Sequence, residues 1–419
     1  MARGTWWRIG WRNLGRNRRR SVITAVGLAV GYFSVVVLVG WWAGVVVEMI
    51  NNGTGIVTGQ LQVHDAEYLP DRSVYQTLGG DAGVDVSALL DRITRDPAIS
   101  AAAPRVYGGG LVSSASATAA TAFLGVDPDL EPRVSRIMTS VTQGRVPQRG
   151  ANELLIGSEM ARILGANPGD EVVVVAPAVD GSMGNDLFFV TGVFTSGLAD
   201  LDRTFALVPI DALQALMVLD SGRVHEIAAA VPDPWQASEA AARLDTALAG
   251  GGRPLAVEAW TELRPELVEY AQLSQSFYWV LLVIVFGMAI FGVANTMLMS
   301  TFERRHEFAL LLALGTVPGG IVRSVLYESV ALGAIGLVTG AAVTLPVLVW
   351  WHHAPPDLSW LVGDFTMAGA LVRPVLRVEY PWTIAWQAAV ALFLTAALAA
   401  LYPAIRASRV APADTLSGR

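Results

Sequence analysis

Four stretches of the chain are apolar over enough residues to cross a membrane. The first covers 21–48 and the second covers 277–300. The third covers 321–351 and the fourth covers 382–403. Each reaches the ~20 residues that a helix needs to span a bilayer. The pattern therefore predicts four transmembrane helices, with a long polar segment between the first two and a short loop at 352–381 between the last two.

The polar segment 49–276 shows the mixed pattern of a folded water-soluble domain. Leu61–His64 alternates with period two, which predicts a strand, and 158–164 is predicted as a helix with Ser158 as its N-cap, ending near Gly165. Strand-like and helix-like patterns alternate in the same way as far as 260. We therefore expect an α+β domain large enough for its own core.

The same segment is expected to have two lobes and a stalk. One lobe is formed by 56–128 with 224–260 and the other by 129–223, while a polar helix at 261–275 continues without a break into the second span. Asp180–Asp186 lies between two apolar β-rich runs and is predicted to be a flexible hairpin tip. The domain is predicted to be built for contact with partners.

Composition supports a chain that is partly membrane and partly soluble. The sequence is 53% hydrophobic with a mean hydropathy of +0.47, yet it holds 36 acidic and 29 basic residues. It has no cysteine, which excludes disulfides and thiolate metal sites. Every basic residue is arginine, so neither the lysine of a Walker A phosphate loop nor a Schiff-base amine is present. We therefore expect no ATPase activity in this chain.

The distribution of arginines predicts the orientation in the membrane. Residues 1–20 hold seven arginines and no acid, whereas 48–276 holds 14 arginines and 29 acidic residues. The positive-inside rule places 1–20, the connector 301–320 and the tail 404–419 in the cytoplasm. Aromatic and basic residues in 1–20 predict a helix at the membrane surface. A cleaved twin-arginine leader is disfavoured, because the apolar run is longer than a signal core and lacks an Ala-x-Ala site.

Motifs of catalytic chemistry are absent from the sequence. No Gly-x-Ser-x-Gly elbow occurs, and His306-Glu307 lacks the second histidine of a zinc site. We expect neither a catalytic residue nor a bound metal or cofactor, and no nucleic-acid partner. Small-residue pairs such as Gly336-x-x-x-Gly340 indicate close helix packing or dimerisation.

The connector 301–320 is the most informative stretch. The second span runs into Glu303-Arg304-Arg305-His306-Glu307, then a short amphipathic helix, then Gly315 and Pro318 before the third span. With Tyr402-Pro403-Ala404 near the end, Arg12-Asn13-Leu14 near the start and Asn152–Gly157 in the polar domain, it resembles the FtsX/MacB-type permeases of ABC transporters.

The resemblance implies a dimeric permease formed with a second copy or a paralogue. Separate ABC ATPase subunits, carrying ATP and Mg, would dock on a coupling helix and drive work outside the membrane through the stalk. The residues that the family pattern assigns to ATPase coupling are Glu303, Arg304, Arg305, Glu307, Leu314 and Gly315.

Length, a separate motor and the hairpin make the chain most similar to lipoprotein-releasing permeases of the LolC/LolE type in the bacterial inner membrane. That similarity implies acyl-chain contact on spans one and two, around Leu38, Val39, Trp42, Phe286 and Ile290, amid membrane lipids. It also implies contact with a periplasmic lipoprotein carrier or adaptor through Asp180, Gly181, Ser182, Met183 and Gly184. Two alternatives are a MacB-like exporter of peptides or toxic small molecules and a regulator of a cell-wall hydrolase.

Overall fold

The structure is a computed structural model, and it divides into a helical unit and an α+β unit. It describes residues 18–56, 58–80, 84–249, 254–363, 365–367, 370–372, 375–412 and 415. Most of the surface helix predicted at 1–20 lies outside these described residues.

The helices and strands are numbered in chain order. The helices are α1 Arg18–Gly55, α2 Val86–Thr94, α3 Ser158–Leu164, α4 Ala199–Thr204, α5 Ile210–Leu216, α6 Ala237–Leu248, α7 Trp260–Leu263, α8 Pro265–Glu303, α9 Arg305–Ala313, α10 Pro318–His353, α11 Ser359–Val362 and α12 Trp382–Ser408. The strands are β1 Leu61–Asp65, β2 Ala101–Ser113, β3 Thr118–Val126, β4 Val141–Gly144, β5 Glu153–Gly157, β6 Glu171–Pro177, β7 Met183–Phe194, β8 Phe205–Pro209, β9 Glu226–Ala230, β10 Leu255–Ala259, β11 Phe365–Met367 and β12 Ala370–Val372.

Four helices are long and apolar enough to cross a membrane, as the sequence predicts. They are α1, α8, α10 and α12, and each contains one of the four predicted apolar stretches. α1 and α8 have 38 and 39 residues, so each is far longer than the roughly 20 residues that span hydrocarbon. Both therefore extend beyond the bilayer.

Glycines on α10 bring it close to α1 inside the helical unit. A Cβ added at Gly336 would lie 2.8 Å from the Leu28 Cβ, and one at Gly340 would lie 3.2 Å from the Ala29 Cα. The close packing predicted for this glycine pair is confirmed, and it occurs between helices of one chain. These positions need small residues because larger side chains would push the helices apart.

The segment 375–381, before α12, lies along α1 at two more glycines. A Cβ at Gly44 would come within 2.1 Å of the Arg377 carbonyl oxygen, and the Glu379 amide donates to the Gly40 carbonyl over 3.1 Å. His352 is half-buried, and its Nδ1 lies 2.9 Å from the Val378 carbonyl. The segment is therefore fixed to both α1 and α10.

The α+β unit is built on one ten-stranded sheet. Its order is β10-β1-β9-β2-β3-β8-β5-β7-β4, and β6 pairs with both β2 and β7. Because β6 makes both pairings, β2, β3, β8, β5, β7 and β6 form a closed ring of six strands. Strands of both predicted lobes take part in this sheet, and the division into lobes stays a prediction.

A buried ionic cluster joins β2 and β9 to the 3-10 helical turn Glu131–Arg133. Arg105 donates to Glu131 over 2.6 and 3.1 Å and to Glu226 over 3.4 Å, and all three side chains are fully buried. The Tyr107 hydroxyl also donates to Glu226 over 3.0 Å. Burial raises the pKa of Glu226, although Arg105 opposes the shift. Two carboxylates therefore share one guanidinium in a place without bulk water.

Three local predictions need correction. The predicted unbroken stalk helix is interrupted at Arg264, because the residue before Pro265 is disfavoured in helical geometry. Gly157, not Ser158, is the N-cap of α3, and the Ser158 hydroxyl instead donates to Asp202. The hairpin tip is also shorter than predicted, because residues 183–186 belong to β7 and pair with β6. Only 178–182 remain as the turn.

Candidate functional site

The connector between α8 and α10 folds as a short helix between two breaks. α8 ends at Glu303, Arg304 has non-helical dihedrals, and α9 follows over Arg305–Ala313. Gly315 has a φ of +89°, a conformation that strongly favours glycine. The backbone therefore reverses immediately after α9 and begins α10 at Pro318. This places α9 as a separate short helix at the ends of two membrane-spanning helices.

Three of the predicted coupling residues, Glu303, Arg304 and Glu307, make ion pairs within the helical unit. Glu303 accepts two hydrogen bonds from Arg20, over 2.7 and 2.8 Å, which is the bidentate geometry of strong arginine–carboxylate pairs. Arg304 donates to Glu328 over 2.8 Å and to Glu307 over 3.2 Å. Glu303 and Arg304 therefore connect α8 to α1 and α10.

Packing leaves one side of α9 free for another molecule. Phe308 and Ala309 are buried, and Arg304 stacks over the Phe308 ring at 5.0 Å. Leu310 and Leu311 are exposed, and Leu314 just beyond the helix is 75% exposed. An exposed apolar surface at the end of a helix is typical of a protein-binding site. Of the predicted coupling residues, Leu314 is therefore best placed to contact a partner directly.

A cavity next to α9 carries three arginines. It has a volume of about 390 Å³ and lies between the end of α8 and the end of α12. Arg305, Arg406 and Arg409 line it, and the Arg406 guanidinium lies 4.8 Å from the centre of the Phe302 ring. No acidic residue lines this cavity within the described part of the chain. The cavity therefore offers positive charge to an acidic partner surface.

A different surface, in the α+β unit, surrounds the predicted carrier-contact hairpin. Residues on one face of β2, β6 and β7 project away from the core of the strand ring, and the register aligns Leu111 with Val175 and Val173 with Leu187. We call this set the apolar sheet face. Its members are Leu111, Val173, Val175, Met183, Leu187 and Phe189, of which Leu111, Met183, Leu187 and Phe189 are exposed.

The hairpin turn is held against neighbouring structure. The Asp180 carboxylate accepts hydrogen bonds from the Ser182 amide and hydroxyl, over 2.9 and 2.6 Å. The Val179 amide donates to the Met217 carbonyl, and a Cβ at Gly184 would lie 2.0 Å from the Leu216 carbonyl oxygen. The hydrogen bonds to Ser182 lower the pKa of Asp180, which favours its charged form. The turn therefore has a defined shape beside the apolar sheet face.

The five residues predicted to contact acyl chains do not form one exposed surface. Leu38 is exposed, whereas Val39 and Phe286 are buried in the core of the helical unit. Trp42 and Ile290 are half-buried. Val39 and Phe286 are therefore corrected to packing residues of this unit, because their side chains offer no surface to a ligand here.

Sequence reasoning did not identify Arg20, Glu328, Arg406 or the apolar sheet face as parts of these sites. Arg20 and Glu303 carry opposite charges near the ends of two different spans, which could have indicated an ion pair. Whether they meet depends on how the two helices pack, which the sequence pattern does not give. Val172–Val175 reads as one continuous apolar run. Only the strand register separates its buried members, Val172 and Val174, from its outward ones.

The comparisons with known proteins agree with both units. Residues 21–247 match the MacB-like periplasmic core domain, and residues 279–412 match the FtsX-like permease C-terminal region. The chain is 26% identical over 333 residues to the lipoprotein-releasing system transmembrane protein LolC of Xylella fastidiosa (strain Temecula1), covering 77% of this chain and 78% of that protein.

Two further relatives cover most of this chain. LolC of Neisseria meningitidis serogroup B is 25% identical over 427 residues, covering 97% of this chain and 98% of that protein. The macrolide export ATP-binding/permease protein MacB 1/2 of Paracoccus denitrificans is 23% identical over 372 residues, covering 87% of this chain and 54% of that protein. The chain belongs to the ABC transporter permeases that combine a MacB-like periplasmic core domain with an FtsX-like permease region.

Proposed function

We propose that this permease releases acylated lipoproteins from the inner membrane to a carrier outside it, driven by a separate ATPase. In this proposal both termini and α9 lie in the cytoplasm, and the α+β unit lies in the periplasm. Two relatives named as lipoprotein-releasing proteins support it, one of them aligned over 97% of this chain. The observation that carries the proposal is the apolar sheet face beside the hairpin.

Contact with a carrier would cover the exposed apolar side chains of the apolar sheet face, which are unfavourable in water. Exposed apolar side chains on adjacent strands form a shared surface, interrupted by Asn185 between Met183 and Leu187, and such a surface in soluble domains marks a protein-binding site. A carrier that hides acyl chains must itself have apolar surface near its opening, so contact there would exclude water during transfer. The ordered turn at 178–182 would fix the position of the carrier.

A transfer assay tests this role. The permease is reconstituted in vesicles with its ATPase, and ATP-dependent movement of an acylated lipoprotein to the soluble carrier is measured. Changing Leu187 and Phe189 together to serine should lower transfer at least five-fold while leaving the ATPase rate nearly unchanged. Tyr75→Ser is the matched control, because Tyr75 is 61% exposed but lies outside the apolar sheet face. Equal transfer by both variants would refute the carrier-contact role.

The ATPase partner is proposed to dock on the apolar side of α9 and on the adjacent arginine cavity. Leu310 and Leu314 would fill a groove of the ATPase, and Arg305, Arg406 and Arg409 would face its acidic residues. The ion pairs of Glu303 and Arg304 would act as positioning contacts that pass movement of α9 into α1, α8 and α10. ATP and Mg would be bound by the ATPase.

Export of peptides or small toxic molecules is the second candidate, and the MacB relative from Paracoccus favours it. Purification of the tagged chain from its native membrane distinguishes the two functions. Recovery of an ATPase with acylated lipoproteins supports release, whereas recovery with an adaptor and an outer-membrane duct supports export. Absence of any ATPase would contradict both.

A further inference from the structure

The helical unit contains an apolar cavity that the proposed function does not use. It has a volume of about 370 Å³ and lies between α1, α10 and the first two turns of α12. This size falls within the roughly 300–1,000 Å³ of small-ligand sites. The residues at its inner end, including Tyr32, Val36 and Leu348, are buried. The cavity is thus a recess between three helices.

The chemistry of the walls selects a hydrocarbon ligand. Among the described residues no charged side chain lines the cavity, and the three hydroxyl groups in its lining belong to Tyr32, Thr344 and Tyr380. The Thr344 hydroxyl already donates to the Gly340 carbonyl over 2.7 Å. A charged or strongly polar ligand would leave its polar atoms without partners, which is unfavourable in an apolar site. Water is excluded for the same reason, since apolar cavities stay dry.

Exposed aromatic side chains lie at one end of the cavity. Trp382 and Trp386 line it and are 64% and 71% exposed, and Leu345 beside them is also exposed. Tyr380 lies at the same end and stacks on Trp382 at 5.8 Å. Tyrosine and tryptophan are the residues found at the headgroup level of membranes. A chain entering between α10 and α12 could keep its headgroup at this aromatic rim.

We propose that this cavity holds one acyl chain of a bilayer phospholipid. A lipoprotein acyl chain is the competing source, but the α1 residues that line the cavity lie on a different side of that helix from Leu38, the exposed residue of the predicted acyl-contact set. At 100° per residue, Tyr32 and Val36 point between about 120° and 160° around α1 from Leu38. The bound chain fills the recess between α1 and the α10–α12 pair, and so supports their packing without taking part in transport.

Photolabelling of the full-length chain tests the site. The chain is placed in phosphatidylethanolamine and phosphatidylglycerol vesicles that contain a phosphatidylethanolamine with a diazirine on its acyl chain. After illumination, labelled residues are mapped by mass spectrometry. Label should concentrate on cavity residues such as Tyr32, Leu345 and Trp386 rather than spread evenly along α10. An even spread would overturn the proposal without needing any variant.

Filling the cavity provides the second measurement. Leucine at Ala341 and Ala385, both in the lining, should lower the cavity label at least five-fold. Ala342→Leu is the matched control, because Ala342 is exposed one residue away on the same helix. Unchanged label in the filled variant would refute the site. Label that arises only from a diazirine-bearing acylated lipopeptide, and not from the phospholipid, would refute the phospholipid as its source.

Discussion

Replacing Arg105 by methionine tests how far the α+β unit depends on its buried ionic cluster. The side chain is fully buried and makes three hydrogen bonds to the carboxylates of Glu131 and Glu226. Methionine keeps much of the apolar stem but removes the guanidinium to which both of these carboxylates bind. Two carboxylates would then remain in a site that water does not reach.

The expected loss is large because breaking a buried ion pair leaves an uncompensated charge. Removing one partner of such a pair typically costs about 3–5 kcal/mol. The 3.4 Å contact to Glu226 is long, so most of this loss should come from the shorter bonds to Glu131. Arg145→Met, which breaks a pair whose arginine side chain is 50% exposed, should cost no more than about 1 kcal/mol.

Hydrogen exchange of β2 and β9 in the full-length chain measures this loss locally. At about 1.4 kcal/mol per tenfold change, amide protection should fall by roughly two to three and a half decades in Arg105→Met. Adding Glu131→Gln and Glu226→Gln to Arg105→Met should restore most of the lost amide protection, because the cluster would then carry no charge. A fall of less than about tenfold, or no recovery in the triple variant, would refute this reasoning.

Three other predictions follow from single contacts. Gly44→Ala should destabilise the helical unit by about 1–3 kcal/mol in detergent melting, because its Cβ would overlap the Arg377 carbonyl, whereas Gly27→Ala has open space and should be neutral or stabilising. Glu226→Gln should gain stability relative to the natural chain as pH rises above the ordinary glutamate pKa of about 4. Because the pKa of Glu226 is raised in the folded state, the stability that this group contributes is fully present below its unfolded pKa. That stability is lost as pH rises through its folded pKa, and the free energy of unfolding measured at several pH values would show the loss. Leu314→Asp should lower ATPase co-purification at least five-fold and Leu314→Met should not; equal recovery would exclude this contact.

Much of the architecture could be predicted because its signals are local in sequence. Four long apolar runs predicted the four candidate spans, and the Gly315 and Pro318 signals predicted the breaks around α9. Period and turn residues also located α3 and the strands of the β6–β7 hairpin. Each of these features depends on neighbouring residues, so a pattern of a few positions is enough to predict it.

Features that depend on distant residues could not be predicted. Leu61–His64 alternates like a half-exposed strand, yet every residue of β1 is buried, which depends on packing against both faces of the sheet and not on the local pattern. Val39 and Phe286 are as apolar as exposed Leu38, and only helix packing decides which of them is buried. The two partners of Arg105 are likewise distant in the sequence: Glu131 is 26 residues away and Glu226 is 121 residues away.

The two long helices differ in how they can transmit force. α1 continues as one helix of 38 residues, about 57 Å at 1.5 Å per residue, so a push or twist at one end reaches the other with little loss. α8 is preceded by a non-helical residue, Arg264, whose amide donates to the Trp260 carbonyl and whose carbonyl accepts from the Leu267 amide. The Arg264 guanidinium also donates to the Gly53 carbonyl near the end of α1. α1 is therefore mechanically continuous along its whole length, whereas α8 begins at a break in the helix that hydrogen bonds of Arg264 hold in place.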